Sequence, residues 1–270
     1  MFIRPENFPV VASYAQMIWQ GLVVTILLSF FTVVIGFVLA LILALMRMSS
    51  FYPLLWLSRA FPGVFGLLER EKDGMKRDSG FVYKLAHFNP LSFLATAYVE
   101  ILRSTPVLVQ IFIIYYGPFT LIDLPNFSIF GFIRFTRFFP GVVALGMNSG
   151  AYLCEIIRSG LQSIDGGQTE ASRSLGLNAA RTLFYIILPQ ALKNILPAIA
   201  NEFVVIIKES AITYTIGVQD IMFAVNAIRG ATAIIMEPLL VATALYFCLC
   251  FPTSKIIAYF ERRMSRGDKR

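Results

Sequence analysis

The chain has 270 residues, of which 57% are hydrophobic and only 14% charged. A water-soluble domain of this length carries charge on about a quarter of its residues, so the composition excludes an ordinary soluble enzyme and fits a chain that crosses a membrane repeatedly. The net charge of +7 does not indicate nucleic acid, because the basic residues gather at the ends of apolar segments, where the positive-inside rule places them.

Residues Met1 to Tyr14 lack the basic start and small-residue cleavage site of a removed signal peptide, so the first span is expected to act as its own insertion signal. No charged residue occurs from Asn7 to Met46. Within that run, Trp19 to Met46 is long enough to cross the ~30 Å hydrocarbon core. Trp19 reads as an interface anchor, and Arg47 marks the exit. From Arg47 to about Pro90 the chain is charged and interrupted by Pro53, Pro62, Gly63 and Gly66, which reads as a solvated hairpin or as a contact with a partner subunit or the lipid surface.

Leu91 to about Pro118 is the second expected span. It contains Glu100 and Arg103 before Pro106. An arginine at membrane depth costs about 3 kcal/mol on insertion scales, so Arg103 should face protein or a watery cavity. Pro106 should kink the helix. Phe119 to Phe138 reads as an aromatic-rich outer loop. The third span, Phe139 to Leu161, opens with Pro140 as a first-turn residue. Asn148, Tyr152, Glu155 and Ser159 recur at helical spacing and make one polar stripe. Gly146 and Gly150 are spaced for close helix approach, a packing feature rather than a dimer signal.

The stretch from Asp165 to Pro189 is polar and reads as two short helices with a sharp turn. Asp165 can cap the first, with Gln168 completing a capping box. Gly176 is placed to end it in a left-handed conformation, and Asn178 to cap the second. The fourth span, about Asn194 to Tyr214, carries Glu202, Glu209 and Thr213 on one face with Lys208 adjacent. Gly217 to Met236 is a part-helical outer loop. The fifth span, Glu237 to about Tyr259, is expected to kink at Pro252 and to run into a basic tail. With the Asp165–Pro189 stretch inside, seventeen Lys and Arg lie on the inner side against four outside. That excess places the amino end outside and the carboxyl end in the cytoplasm.

Cys154, Cys248 and Cys250 all lie in apolar runs, and positions 248 and 250 leave a helix in different directions, so neither a disulfide nor a metal site is expected. His87 is the only histidine, which leaves no histidine cluster for a metal. No Gly-x-x-x-x-Gly-Lys-Ser/Thr phosphate cradle occurs, so any nucleotide hydrolysis belongs to another chain.

Glu170-Ala171-Ser172, Gly176, Ile186 and Leu188-Pro189, at their spacing, resemble the EAA loop of ABC-importer permeases; only Ser172 departs, standing where a second Ala is usual. Asn148-Ser-Gly-Ala-Tyr152, Glu155-Ile-Ile-Arg158, Leu188-Pro-Gln-Ala-Leu192, Arg103-Ser-Thr-Pro106 with Gln110, Lys208-Glu-Ser210, Ile216-Gly-Val218 and Tyr259-Phe-Glu-Arg-Arg263 resemble the polar-amino-acid branch of that family. The likeness covers the chain except about Phe61 to Asn89, where relatives pass quickly from first span to second. It implies an all-α integral membrane fold of the type I ABC importer kind. That fold is one domain over 1–270, with five transmembrane helices near 19–46, 91–118, 139–161, 194–214 and 237–259, and a cytoplasmic coupling helix-turn-helix over 162–190.

The resemblance implies a permease subunit of the bacterial inner membrane importing a polar or charged amino acid. Its partners would be ABC ATPase subunits, a second permease chain (the same or homologous), an extracytoplasmic solute-binding protein and membrane lipid. ATP and Mg would be bound by the ATPase, and no cofactor, metal or nucleic acid by this chain. Glu170, Ala171, Ser172, Gly176, Leu188 and Pro189 would couple to the ATPase. Glu155, with Asn148 and Tyr152, is placed to meet a cationic group of the solute, Arg103 its carboxylate, and Glu202 is a further path candidate. Glu155 pairing with Arg158, and Arg103 with Glu100, is the competing reading of those charges. A passive channel would use the same polar stripes but has no use for a coupling loop. An intramembrane enzyme lacks any nucleophile and base at useful spacing, and an importer of a non-amino-acid solute is the nearer alternative.

Overall fold

The computed structural model describes residues 3–49 and 88–265. His87, six of the seven first-loop cations and the charged insert, apart from Phe88 and Asn89, lie outside the described residues. So does the end of the basic tail.

A 3-10 turn, Pro5–Asn7, leads through α1 (Phe8–Ala12) into α2 (Ala15–Met48). At 34 residues, α2 is about 51 Å long, more than the hydrocarbon core requires. Its partner is α6 (Phe135–Gln162), and the two lie close because small residues face one another. A Cβ on Gly36 would sit 2.9 Å from Ser149 Oγ, and one on Gly150 would sit 2.9 Å from Leu39. Gly146 meets Ile35 in the same way, so the Gly146–Gly150 pair serves packing within the chain. Around this pair lie two apolar clusters. One holds Leu43, Val99, Leu153 and Ile195, the other Val24, Leu28, Ile111 and Leu145.

The segment expected as the second span is two helices, α3 (Pro90–Ser104) and α4 (Val107–Tyr116), the latter extended by α5 (Pro118–Leu121). They meet at 112°, far sharper than a proline kink within one helix. Thr105 is extended (φ −118°, ψ 149°), the conformation that a following proline enforces. The chain therefore leaves the helix altogether before Pro106 restarts it.

Two strands, β1 (Ser128–Ile129) and β2 (Ile133–Arg134), pair antiparallel with Ser128 opposite Arg134, a small exception to an all-α fold. They hand directly to α6, whose start is fixed by a bond from Phe135 N–H to the Phe127 carbonyl at 3.1 Å and by stacking of Phe127, Phe135 and Phe139. Helix α6 thus begins four residues before Phe139. Pro140 lies inside it and not in its first turn, which corrects the expectation from sequence.

After the polar stretch, α7 (Gly166–Ser174) and α8 (Ala179–Thr182) lead through a π turn, Leu183–Ile187, into α9 (Leu188–Glu209). The π turn sits just before Pro189, whose ring would collide with the Tyr185 carbonyl in regular helix. Helix α9 starts six residues earlier than Asn194 and ends in a 3-10 stretch, Ser210–Ile216, closed by Gly217. Helix α10 (Ile221–Thr232) fills the expected outer loop, capped by Asp220 through a bond from Phe223 N–H at 2.8 Å. Helix α11 (Met236–Ser265) is a single helix through Pro252, longer than expected at its C-terminal end.

Among the described residues, α2 and α11 are long and apolar enough to cross a membrane, and the bent pair α3 with α4–α5 can be read as a third span. Helices α6 and α9 are not among these; α6 packs against α2, α3, α4 and α9, and α9 against α2, α6 and α11.

Candidate functional site

The residues singled out in the sequence gather in two places: an exposed elbow between α6 and α9, and a charged cluster where α2, α3 and α6 meet.

The elbow closes itself by local bonds. The Asp165 carboxylate accepts from Gly167 N–H at 2.6 Å, one residue short of the Gln168 N–H. Gln168 instead bonds the Asp165 carbonyl through its backbone at 3.0 Å, and no side-chain bond from Gln168 completes the expected box among the described residues. The glycine pair after Asp165 lets the chain turn tightly enough for the nearer amide to take the carboxylate. At the other end, Gly176 N–H bonds the Arg173 carbonyl at 2.9 Å and Leu177 N–H the Ser172 carbonyl at 3.1 Å. With Gly176 at φ +83°, this is a Schellman closure. The Asn178 side chain accepts from Arg181 N–H at 2.9 Å, the cap expected from sequence.

The two short helices are joined by a bond the sequence does not announce. Ser172, 4% exposed, and Thr182, 3% exposed, share a hydrogen bond between their hydroxyls at 3.0 Å. The serine that departs from the motif thus fastens the elbow from within. Glu170, Ala171 and Pro189 face solvent and Leu188 is half-buried. Leu175, Phe184 and Tyr185, at 84%, 61% and 74% exposure, add large uncovered side chains that sequence reasoning passed over because their spacing matches no amphipathic stripe. A rigid, exposed turn carrying both charge and apolar surface is suited to docking another protein. At its base, Asn194 Nδ2 donates to Ser163 Oγ at 2.9 Å, tying α9 to the end of α6.

In the charged cluster, one carboxylate serves three guanidinium groups. Glu155 pairs with Arg47 at 3.0 Å, with Arg158 one turn along, and more loosely with Arg103 at 4.0 Å. Arg158 Nε donates to both carboxylate oxygens, at 2.9 and 3.0 Å. Arg47 also donates from Nε to Thr96 Oγ1 at 3.3 Å, so α2 is bound to both α3 and α6. Arg47 was read from sequence as an exit marker only; its partner lies 108 positions away, which no local pattern reveals. Arg103 does not pair with Glu100 as the competing reading held. It reaches Glu155 and lies over the Tyr152 ring, 5.6 Å from its centroid. The structure therefore brings Arg103, Tyr152 and Glu155 together.

Asn148 stands behind them, 4% exposed, and its Nδ2 donates to Gln110 Oε1 at 2.9 Å. Glu202 is half-buried on α9 and forms no ion pair or hydrogen bond with these side chains among the described residues. Cys154 is buried, and Cys248 and Cys250 are free thiols.

Residues 80–266 match the family described as Binding-protein-dependent transport system inner membrane component. The chain is 31% identical to the arginine transport system permease protein ArtQ of Bacillus subtilis (strain 168) over 262 residues, covering 97% of this chain and 99% of that one. It is 33% identical to the probable glutamine ABC transporter permease protein GlnM of the same organism over 186 residues, 69% of this chain and 82% of the relative. The crystal structure of an amino acid ABC transporter with histidines matches with a TM-score of 0.75 at 35% identity, over 97% of this chain and 100% of that one.

Proposed function

The chain belongs to the family of binding-protein-dependent transport system inner membrane components; from that premise we propose that it is the permease subunit of an ATP-driven importer for a polar or charged amino acid. It spans the inner membrane five times, with its amino end outside and its elbow and carboxyl end in the cytoplasm. The relatives named for arginine and glutamine support the amino-acid assignment.

The observation that carries the coupling part is the elbow: self-closed, exposed, and attached at both ends to long helices. ATPase subunits bind ATP and Mg and dock on Glu170, Ala171 and the neighbouring apolar side chains. Ser172, Gly176, Leu188 and Pro189 set the elbow's shape. When the ATPases close, the elbow moves as a body and turns α6 and α9 with it, an alternating-access step. A second permease chain completes the path, and an extracytoplasmic binding protein delivers the solute. Arg103, Tyr152 and Glu155 line the path with Asn148 behind them and Glu202 on the adjoining helix.

The test is Gly176→Asp in the assembled transporter reconstituted in vesicles. The variant should insert and assemble, and its ATPase should still turn over, while solute uptake is lost. Uptake at the unmodified rate would reject coupling through the elbow. A photo-crosslinker at Glu170 should capture the ATPase subunit, and failure to capture it would reject the docking face.

A further inference from the structure

Helix α11 packs on α9 and α10, with Ala242 and Ile257 buried on the packed side. Its opposite side carries Phe251, Lys255, Tyr259 and Arg262 in one line at helical spacing, with Arg263 beside them. All five are exposed. From Glu237, where the span begins, the rise to Lys255 is about 27 Å, close to the ~30 Å hydrocarbon core. Lys255 therefore stands at the membrane boundary nearest the carboxyl end, and Tyr259, Arg262 and Arg263 stand at headgroup level. Lys255 Nζ sits 5.2 Å from the centroid of the Phe251 ring. Phe251 stacks in turn on Phe247, one turn deeper, with centroids 5.1 Å apart. The line changes from aromatic to cationic where hydrocarbon gives way to headgroups.

A cavity of about 310 Å³ opens on the cationic part, lined among the described residues by Lys255, Tyr259, Arg262 and Arg263. Among the described residues, none of these three cations forms an ion pair. Glu261, the nearest acid in sequence, leaves the helix about 100° round from Arg262. Orientation in the membrane requires positive charge at the inner end of a span, on whichever face of the helix. It does not require that the cations share one face and one cavity. Two guanidinium forks, an ammonium and a phenol hydroxyl are a donor set matched to the oxygens of a phosphate.

We propose that this face binds one anionic phospholipid, with its phosphate on Lys255, Tyr259, Arg262 and Arg263 and an acyl chain along Phe251 and Phe247. The proposal goes beyond the transport reading and needs only that α11 cross a membrane. A soluble phosphate would find the same donors but not the apolar line that continues from them, and that continuity assigns the lipid.

The test is quenching by brominated lipid in the assembled transporter in nanodiscs. Phe251→Trp places a reporter beneath Lys255, and the difference from the unmodified assembly is its signal. Dibrominated phosphatidylglycerol and dibrominated phosphatidylcholine are each titrated into plain phosphatidylcholine. One basic residue near the surface favours the anionic lipid by about fivefold, so association at the reporter should favour phosphatidylglycerol by at least about tenfold. Arg262→Gln with Arg263→Gln should bring that preference below about threefold. If this pair does not assemble, Lys255→Gln takes its place and should lower the preference by about fivefold. An unchanged preference in the variant used overturns the site.

Arg262→Gln combined with Glu261→Gln keeps the net charge of the tail. The double variant should lose as much preference as Arg262→Gln alone, and a return to the unmodified value would overturn a defined site in favour of general surface charge. Glycerophosphoglycerol, the soluble headgroup, should leave the quenching unchanged, and displacement by it would overturn the lipid assignment. Absence of quenching by either lipid would mean that protein covers this face in the assembly. That result would overturn the proposal and leave the transport reading standing.

Discussion

The protein has two sharp corners, and they are closed in opposite ways. At Gly176 the chain turns through its own backbone, with both closing bonds made inside the six residues from Ser172 to Leu177 and the turn exposed to solvent. At Thr105–Pro106 it turns 112° and is closed by side chains, one of them 38 positions from its partner, both almost fully buried. The first corner is closed by bonds within its own turn. The second is closed by side chains that α4 and α6 supply to the end of α3, and so depends on those helices staying together.

The comparison breaks first at Gln110. Gln110→Leu keeps the volume but removes the donor to the half-buried Leu102 carbonyl and the acceptor of the buried Asn148 amide, while Thr105 is exposed and water can replace its bond. Unsatisfied buried groups of this kind cost about 1–3 kcal/mol each, and partial relaxation brings the expected loss to about 2–4 kcal/mol. Unfolding of the purified permease in mixed micelles reads it. A loss below about 1 kcal/mol would mean that the backbone alone holds this corner, as it holds the other.

The same contrast decides what was legible in the sequence. Asp165, Gly176 and Asn178 could be assigned caps and a turn because each acts on residues within a few positions, and the structure places all three in those roles. The long apolar runs that became α2 and α11 were legible for the same reason. Arg47, Gln110 and the Ser172–Thr182 bond were not. Their partners are distant in sequence or hidden on the inner face of a turn, and a single chain gives no register between helices. Arg103 was legible as an intramembrane charge that needed a partner, but the partner weighed from sequence, Glu100, is not the one it reaches; it stands 4.0 Å from Glu155. Pro140 failed through a different cause: the stacked Phe127, Phe135 and Phe139 begin α6 early, and tertiary packing overrode the first-turn preference of proline.

Gly176 sharpens the comparison from the other side. At φ +83° an added Cβ meets nothing within 4 Å, so the penalty of Gly176→Ala is conformational and not steric. It should be about 1 kcal/mol, and less for Gly176→Asn, since asparagine tolerates the left-handed region. The same unfolding measurement separates the two. Equal losses in Gly176→Ala and Gly176→Asn would show that the turn is strained by its surroundings and is not the self-contained unit described here.

An effect of the same order is expected inside the elbow, at Ser172, the residue that departs from the motif it otherwise resembles. Ser172→Ala removes one hydroxyl of a buried pair and leaves Thr182 Oγ1 without it. A neutral hydrogen bond contributes about 0.5–1.5 kcal/mol net, and an orphaned hydroxyl adds its own desolvation. The single variant should therefore lose about 1 kcal/mol. Thr182→Val in the same background replaces the orphan with a methyl of the same shape, and burial of an apolar group there should return most of that loss. Recovery in the double variant would establish that Ser172 and Thr182 act as a pair, so that alanine at the first position requires an apolar residue at the second. If Ser172→Ala is neutral on its own, Thr182 has another partner in solution, and the two short helices of the elbow are held by backbone closure at Gly176 alone.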